Sequence, residues 1–334
     1  MLKTLLMFCG LVICANAFAE EPGYHVLKKI PLGGEGGWDY LTVDSAARRL
    51  YVSRGNHVMV VDLETDKLAG DIPDTQGVHG IAIAPELNRG FTSNGRANTS
   101  TIFDLKTLKV LGQVKTGTNP DAILYDPASK KVFTFNGRSN DATAFDAASG
   151  EVVKTIPLGG KPEFAQTDGK GKIYVNIEDT SEVVEIDSRN LEVTRRFSLK
   201  PGEEPSGMGF DTEHHRVFSG CSNKMLTILD TDSGKLISTV AIGLGVDGNG
   251  FDPGTGLAFS SNGDGTLTVV RESSPGKFEA AENVATERGA RTMAIDPKTH
   301  NIYLPTAQFP PTPEGSRQRP RPIADSFMIL VVGK

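Results

Sequence analysis

Seven polar side chains recur along this chain at intervals of about 42 residues: Asp39, His79, Asp121, Glu163, Ser206, Asp247 and Arg291. Six of them can ionise. Four carboxylates, one imidazole and one guanidinium gathered at one place would shift each other's proton affinities, with like charges raising the carboxylates and Arg291 lowering those nearest to it. Carboxylate oxygens suit Ca²⁺, and a histidine among them admits a transition metal. Asp39, His79, Asp121 and Glu163 are contiguous in this series and form the candidate metal set; Ser206, Asp247 and Arg291 complete the candidate ligand ring.

These residues are comparable because the chain repeats. Each lies five places before a turn, at Asp44, Ala84, Asp126, Asp168, Asp211, Asp252 and Asp296, and each turn joins two short alternating strands. YLTVDSAARRLYVS, AILYDPASKKVFTF and GMGFDTEHHRVFSG are examples. A third strand follows, often ending in Asp (Asp62, Asp104, Asp146, Asp187, Asp230), and then a fourth such as EVVKTI. Four strands at this period, seven times, predict an all-β, seven-bladed β-propeller. The last repeat supplies three strands, and YHVLKKIPLGG from Tyr24 has the pattern of a fourth. The N-terminal strand is therefore expected to complete the last blade and remove an open sheet edge.

The recurring DP turn, the apolar third strand ending in Asp and the Gly-x-x-Pro before each blade resemble the YVTN-repeat, or YncE-like, propellers of bacterial envelopes. The resemblance spans residues 20–334 and implies fold more than activity, since propellers host binding proteins, hydrolases and redox enzymes alike.

In such a ring the loops joining second and third strands should share the face of the polar series. Asn94 and Asn136 read as turn residues there. Arg96 and Arg138 are not demanded by a turn and are candidates for holding an anionic group. Trp38, the only tryptophan, is either a stacking platform for a ligand or a packing residue against blade 7. Residues 310–325 form a Pro- and Arg-rich insertion (Arg317, Arg319, Arg321) expected to overhang the same face, as a lid, a partner-docking arm, an anion contact or simply a solvated insertion.

Residues 1–19 read as a signal peptide: Lys3, an apolar run from Leu5 to Ile13, and cleavage after Ala19. That predicts a periplasmic or secreted protein, one propeller domain over 20–334, with no membrane-spanning segment. Cys221 is then the single cysteine left, so no internal disulfide is available, and it reads as an inert packing residue. The formal charge of −6 opposes a nucleic-acid partner. No nucleophile elbow, phosphate loop or haem-attachment motif occurs. The sequence thus points to a monomeric binding propeller for a small molecule, metal or envelope protein. The competing reading is a metal-dependent hydrolase or lactonase.

Overall fold

The computed structural model describes residues 23–311 and 321–334. The leader, and Arg317 and Arg319 of the insertion, lie outside the described residues. Seven four-stranded antiparallel sheets form the blades, and a single 3-10 turn, Pro85–Leu87, is the helical segment among the described residues. The innermost strands of blades 1 to 7 are Leu41–Asp44, Val78–Ala84, Pro120–Asp126, Pro162–Thr167, Pro205–Asp211, Val246–Asp252 and Ala294–Ile295.

Middle strands are covered on both faces by neighbouring blades, so they are apolar almost throughout, as in Lys131–Asn136 (KVFTFN), buried after its first residue. Outermost strands face solvent and keep few buried residues; in Val152–Pro157 only Ile156 is buried. The core therefore sits between blades. Phe133, Phe135 and Ile156 of blade 3 pack with Ile173, Val175 and Ile186 of blade 4. Each such buried side chain is worth roughly 1.5–3 kcal/mol in removed apolar surface.

Blade 7 is assembled from both ends of the chain, as the repeat pattern predicts. Strand His25–Pro31 pairs antiparallel with Met328–Gly333, placing Ile30 opposite Ile329. Met328–Gly333 pairs in turn with Ile302–Thr306. Across the seam with blade 1, Asp296 accepts from Ser45 Oγ at 2.5 Å and from Arg48 Nη1 at 2.5 Å. The Asp296 side chain is wholly buried.

The turn aspartates do local work. Asp62 Oδ1 accepts the N–H groups of Glu64 and Thr65 at 2.9 and 2.8 Å, and Asp104 Oδ1 those of Lys106 and Thr107 at 3.0 and 2.7 Å. The seam between blades 5 and 6 depends on glycine. A Cβ on Gly207 would lie 2.6 Å from the Asn249 nitrogen, and one on Gly209 would lie 2.7 Å from the Gly250 carbonyl carbon. Both neighbours are backbone and have nowhere to retreat.

Candidate functional site

All seven polar positions sit at or just before the start of an innermost strand, at one end of the channel. His79 Nδ1 is 2.6 Å from Asp39 Oδ2 and 3.4 Å from Asp121 Oδ1. One donor atom from each of these three residues lies within 4.8 Å of the others. Arg291 Nε donates to Asp247 Oδ2 at 2.5 Å, and its Nη2 is 3.8 Å from Asp39 Oδ1. Ser206 Oγ donates to Asp247 Oδ1 at 2.6 Å. The ring is thus two linked groups: Asp39–His79–Asp121 and Ser206–Asp247–Arg291, joined through Arg291 and Asp39.

Glu163, the fourth residue of the candidate metal set, stands outside that three-residue cluster. Its Oε2 is 3.3 Å from Lys161 Nζ, which also pairs with Glu178. The contact to Glu163 is one of charge, because Glu163 Oε2 is buried without a geometrically good hydrogen bond. Lys161 carries no signal in the seven-fold polar series, although it lies two residues before a series member and beside Pro162, which opens the strand.

A second residue absent from the series shapes the site. Tyr40 belongs to blade 1, yet its hydroxyl donates to the Asp247 carbonyl oxygen of blade 6 at 2.8 Å, and its ring lies 4.7 Å from that of Phe164 in blade 4. Neither blade adjoins blade 1, so Tyr40 lies across the channel axis. The polar ring is the wall of a cup with a floor, and beneath it the channel is lined by Leu41, Val43, Ile81, Ile123 and Phe251.

Burial is the leading influence on the protons held here. It raises Asp39 despite the His79 hydrogen bond, pushes Asp121 up to about 7 although His79 pulls it down, and lifts Glu163 to about 9 with help from Asp121. Burial works against the His79 imidazolium, but the Asp39 hydrogen bond and the charges of Asp121, Asp39 and Glu163 outweigh it and raise His79 to about 9. Mutual repulsion among the carboxylates, the cause expected from the sequence, is the smaller contribution. Arg291 is held in its charged form, with burial opposed by Asp247 and Asp39.

The loops joining second and third strands do surround the ring. A Cβ on Gly95 would fall 2.7 Å from His79 Nε2, so this glycine leaves the imidazole its room. Asn94 and Asn136 are buried and donate to Thr101 and Thr143 hydroxyls at 2.9 and 3.0 Å, which is a structural role. Asn262 repeats it with Thr268 at 3.1 Å. Arg96 and Arg138 are exposed on the rim, Arg96 with its stem against Gly77. Arg54 instead turns inward: it is buried over the Phe327 ring, 3.9 Å from its centroid, and donates to the Gly36 and Gly34 carbonyls at 2.6 and 2.9 Å.

Trp38 packs on blade 7, with ring centroids 5.2 Å from Phe327 and 6.3 Å from Phe309. It also borders a cavity of about 490 Å³ shared with Arg288, Arg291, Phe309 and Pro322, so the packing read from the sequence leaves part of its ring facing open space. The described ends of the insertion are pinned beside it: Ile323 N donates to Gln308 O at 2.8 Å, and Asp325 Oδ1 accepts from Gly34 N at 3.2 Å. Cys221 is fully buried, and burial raises its thiol to about 11. No helix among the described residues is long and apolar enough to cross a membrane.

A scan against known protein-family models gives no match to this chain, and neither does a search of curated proteins.

Proposed function

We propose that this propeller is a binding protein of the bacterial envelope that takes a small cationic ligand, a divalent metal being the simplest, into the cup at its channel mouth. The observation that carries the reading is the convergence of Asp39, His79 and Asp121 within 4.8 Å of one another beside Tyr40, which reaches across the channel to Asp247. Oxygen and imidazole donors at that spacing match transition-metal coordination, and Ca²⁺ would draw on the carboxylates alone. A transition metal that takes His79 as a ligand must displace the proton that His79 holds, because its pKa of about 9 leaves it protonated at neutral pH. The apolar leader and the likeness of the repeats to YVTN-type propellers support export to the periplasm or beyond. The net charge of −6 weighs against nucleic acid.

One observation favours a second reading, a metal-dependent hydrolase or lactonase. Glu163 retains its proton at neutral pH, as a general acid requires. Against this, a protonated His79 is no base.

The test is metal content of protein purified without chelator, with calorimetric titration of Zn²⁺, Mn²⁺ and Ca²⁺ in two buffers of different ionisation enthalpy. Near-stoichiometric binding with proton release, lost in Asp121→Asn, is expected. Absence of binding for all three ions removes the metal reading. Ester or lactone turnover that is lost together with the metal would move the reading to the hydrolase.

A further inference from the structure

The cup residues are joined through their main chains as well as through their side chains. Thr292 Oγ1 of blade 7 donates to the Asp39 carbonyl oxygen at 2.6 Å. The N–H of the same peptide, on Tyr40, donates to the His79 carbonyl oxygen of blade 2 at 3.1 Å. The peptide after His79 passes the pattern on. Its N–H, on Gly80, donates to Ser93 Oγ at 2.9 Å, and Ser93 Oγ donates to the Asp121 carbonyl oxygen of blade 3. A head-to-tail chain of hydrogen bonds thus runs from blade 7 to blade 3 through Asp39, His79 and Asp121 in turn.

The strand register explains why the chain is needed. The ladder of blade 2 is interrupted between Val78 and Ile81, and that of blade 3 between Pro120 and Ile123. Such irregularities re-aim side chains, here those of His79 and Asp121, but they leave main-chain groups without ladder partners. Those groups must be paired when buried. Thr292 and Ser93 are the two side chains that supply the pairing, and both are wholly buried. Bonds that point one way polarise each other, so the chain is strongest when complete. It also fixes the backbones from which the cup side chains leave, and these meet with His79 Nδ1 at 2.6 Å from Asp39 Oδ2 and 3.4 Å from Asp121 Oδ1.

We infer that Thr292 and Ser93 are positioning residues of the cup, which set the spacing of Asp39, His79 and Asp121 through their main chains. The inference rests on the reading of the cup as a cation site and adds two residues that touch no ligand.

The test uses Ser93→Ala and Thr292→Val, each of which removes one hydroxyl, with Thr292→Ser as the rescue. Thr167→Val is the control: Thr167 Oγ1 donates to Asp126 Oδ1 at 2.7 Å across the seam of blades 3 and 4, at the far end of the inner strands. Zn²⁺ affinity by calorimetry should fall about tenfold in Ser93→Ala and in Thr292→Val, the low end of what a group that orients a metal ligand is worth. Thr292→Ser and Thr167→Val should bind as the wild type does, although Thr167→Val also loses an interblade hydrogen bond. A second readout needs no metal. The His79 Nδ1 proton, shared with Asp39, should be strongly deshielded in nitrogen-edited proton spectra at neutral pH, assigned by its loss in His79→Gln. It should move upfield in Ser93→Ala and Thr292→Val and stay in place in Thr167→Val. A wild-type resonance in both folded relay variants would overturn the inference, as would unchanged Zn²⁺ affinity in them or the same losses in Thr167→Val. If the wild type takes no Zn²⁺, the metal reading falls alone and the resonance decides the inference.

Discussion

The Tyr40 hydroxyl reaches the Asp247 carbonyl oxygen at 2.8 Å, tying blade 1 to blade 6 through the middle of the ring. The contact sets the depth of the cup and couples two blades that share no seam.

Tyr40→Phe should cost about 1 kcal/mol, the net worth of one hydrogen bond, because the ring contact with Phe164 survives. Tyr40→Ala should cost about 3–5 kcal/mol, since a buried aromatic leaves a cavity on the channel axis. Urea unfolding checks both, and equal losses for the two variants would show that the ring contributes nothing beyond its hydroxyl.

Stability should fall as pH rises from about 5 to 9. Glu163, raised from 4.5 to about 9, contributes fully below its unfolded value and loses that contribution as pH climbs through 9. His79, raised from 6.5 to about 9, behaves the same way, and Asp121, raised from 3.8 to about 7, does so over a lower window. The turn carboxylates Asp62, Asp104, Asp146, Asp187 and Asp230 act with opposite sign. Backbone or side-chain N–H and O–H groups hold them below the ordinary value, so their contribution is present above about 3.8 and disappears in acid. Thermal midpoints across this range should peak in mild acid, and Glu163→Gln should flatten the alkaline side. A midpoint that rises steadily to pH 9 would contradict the proton assignment.

Asp296→Ala should destabilise the protein by about 1–3 kcal/mol, because the Arg48 guanidinium, with a side chain only 16% exposed, loses its buried partner and keeps only the exposed Glu64 carboxylate, 2.8 Å from its Nε. Asp296→Asn should cost less, since the amide oxygen can still accept from Ser45. Chemical denaturation of the two variants side by side distinguishes loss of charge from loss of the seam.

Cys221 should resist thiol reagents in the native protein and react once the chain is unfolded. Its sulfur is buried, and burial holds the thiol at about 11, far from the reactive thiolate. Prompt stoichiometric labelling under native conditions would show that this strand opens locally.

The blades and their closure were legible in the sequence because each repeat states the same pattern, and the eye can average over seven copies. Asp39, His79 and Asp121 were found on the same basis: position in the repeat fixes position in the ring. Tyr40 and Lys161 were not, because each acts through a contact that its own repeat does not encode. Tyr40 needs blades 4 and 6 to exist before its role has meaning. Lys161 works only because Glu163 and Glu178, from two different segments of blade 4, converge on it. The aromatic cavity was legible in part: Trp38 was marked, but Phe309 and Arg288 reach it through loops whose lengths differ from the repeat.

The glycines at the seam of blades 5 and 6 make the repeats unequal despite their common pattern. Gly207 and Gly209 occupy the places that Ala122 and Leu124 hold in blade 3. A copy of blade 3 set into the fifth place would drive a leucine side chain into the Gly250 backbone. These blades are therefore no longer interchangeable parts. Any ancestral duplication has been followed by fitting of each unit to its own neighbours, and a shuffled ring would have to acquire its glycines again before it could close.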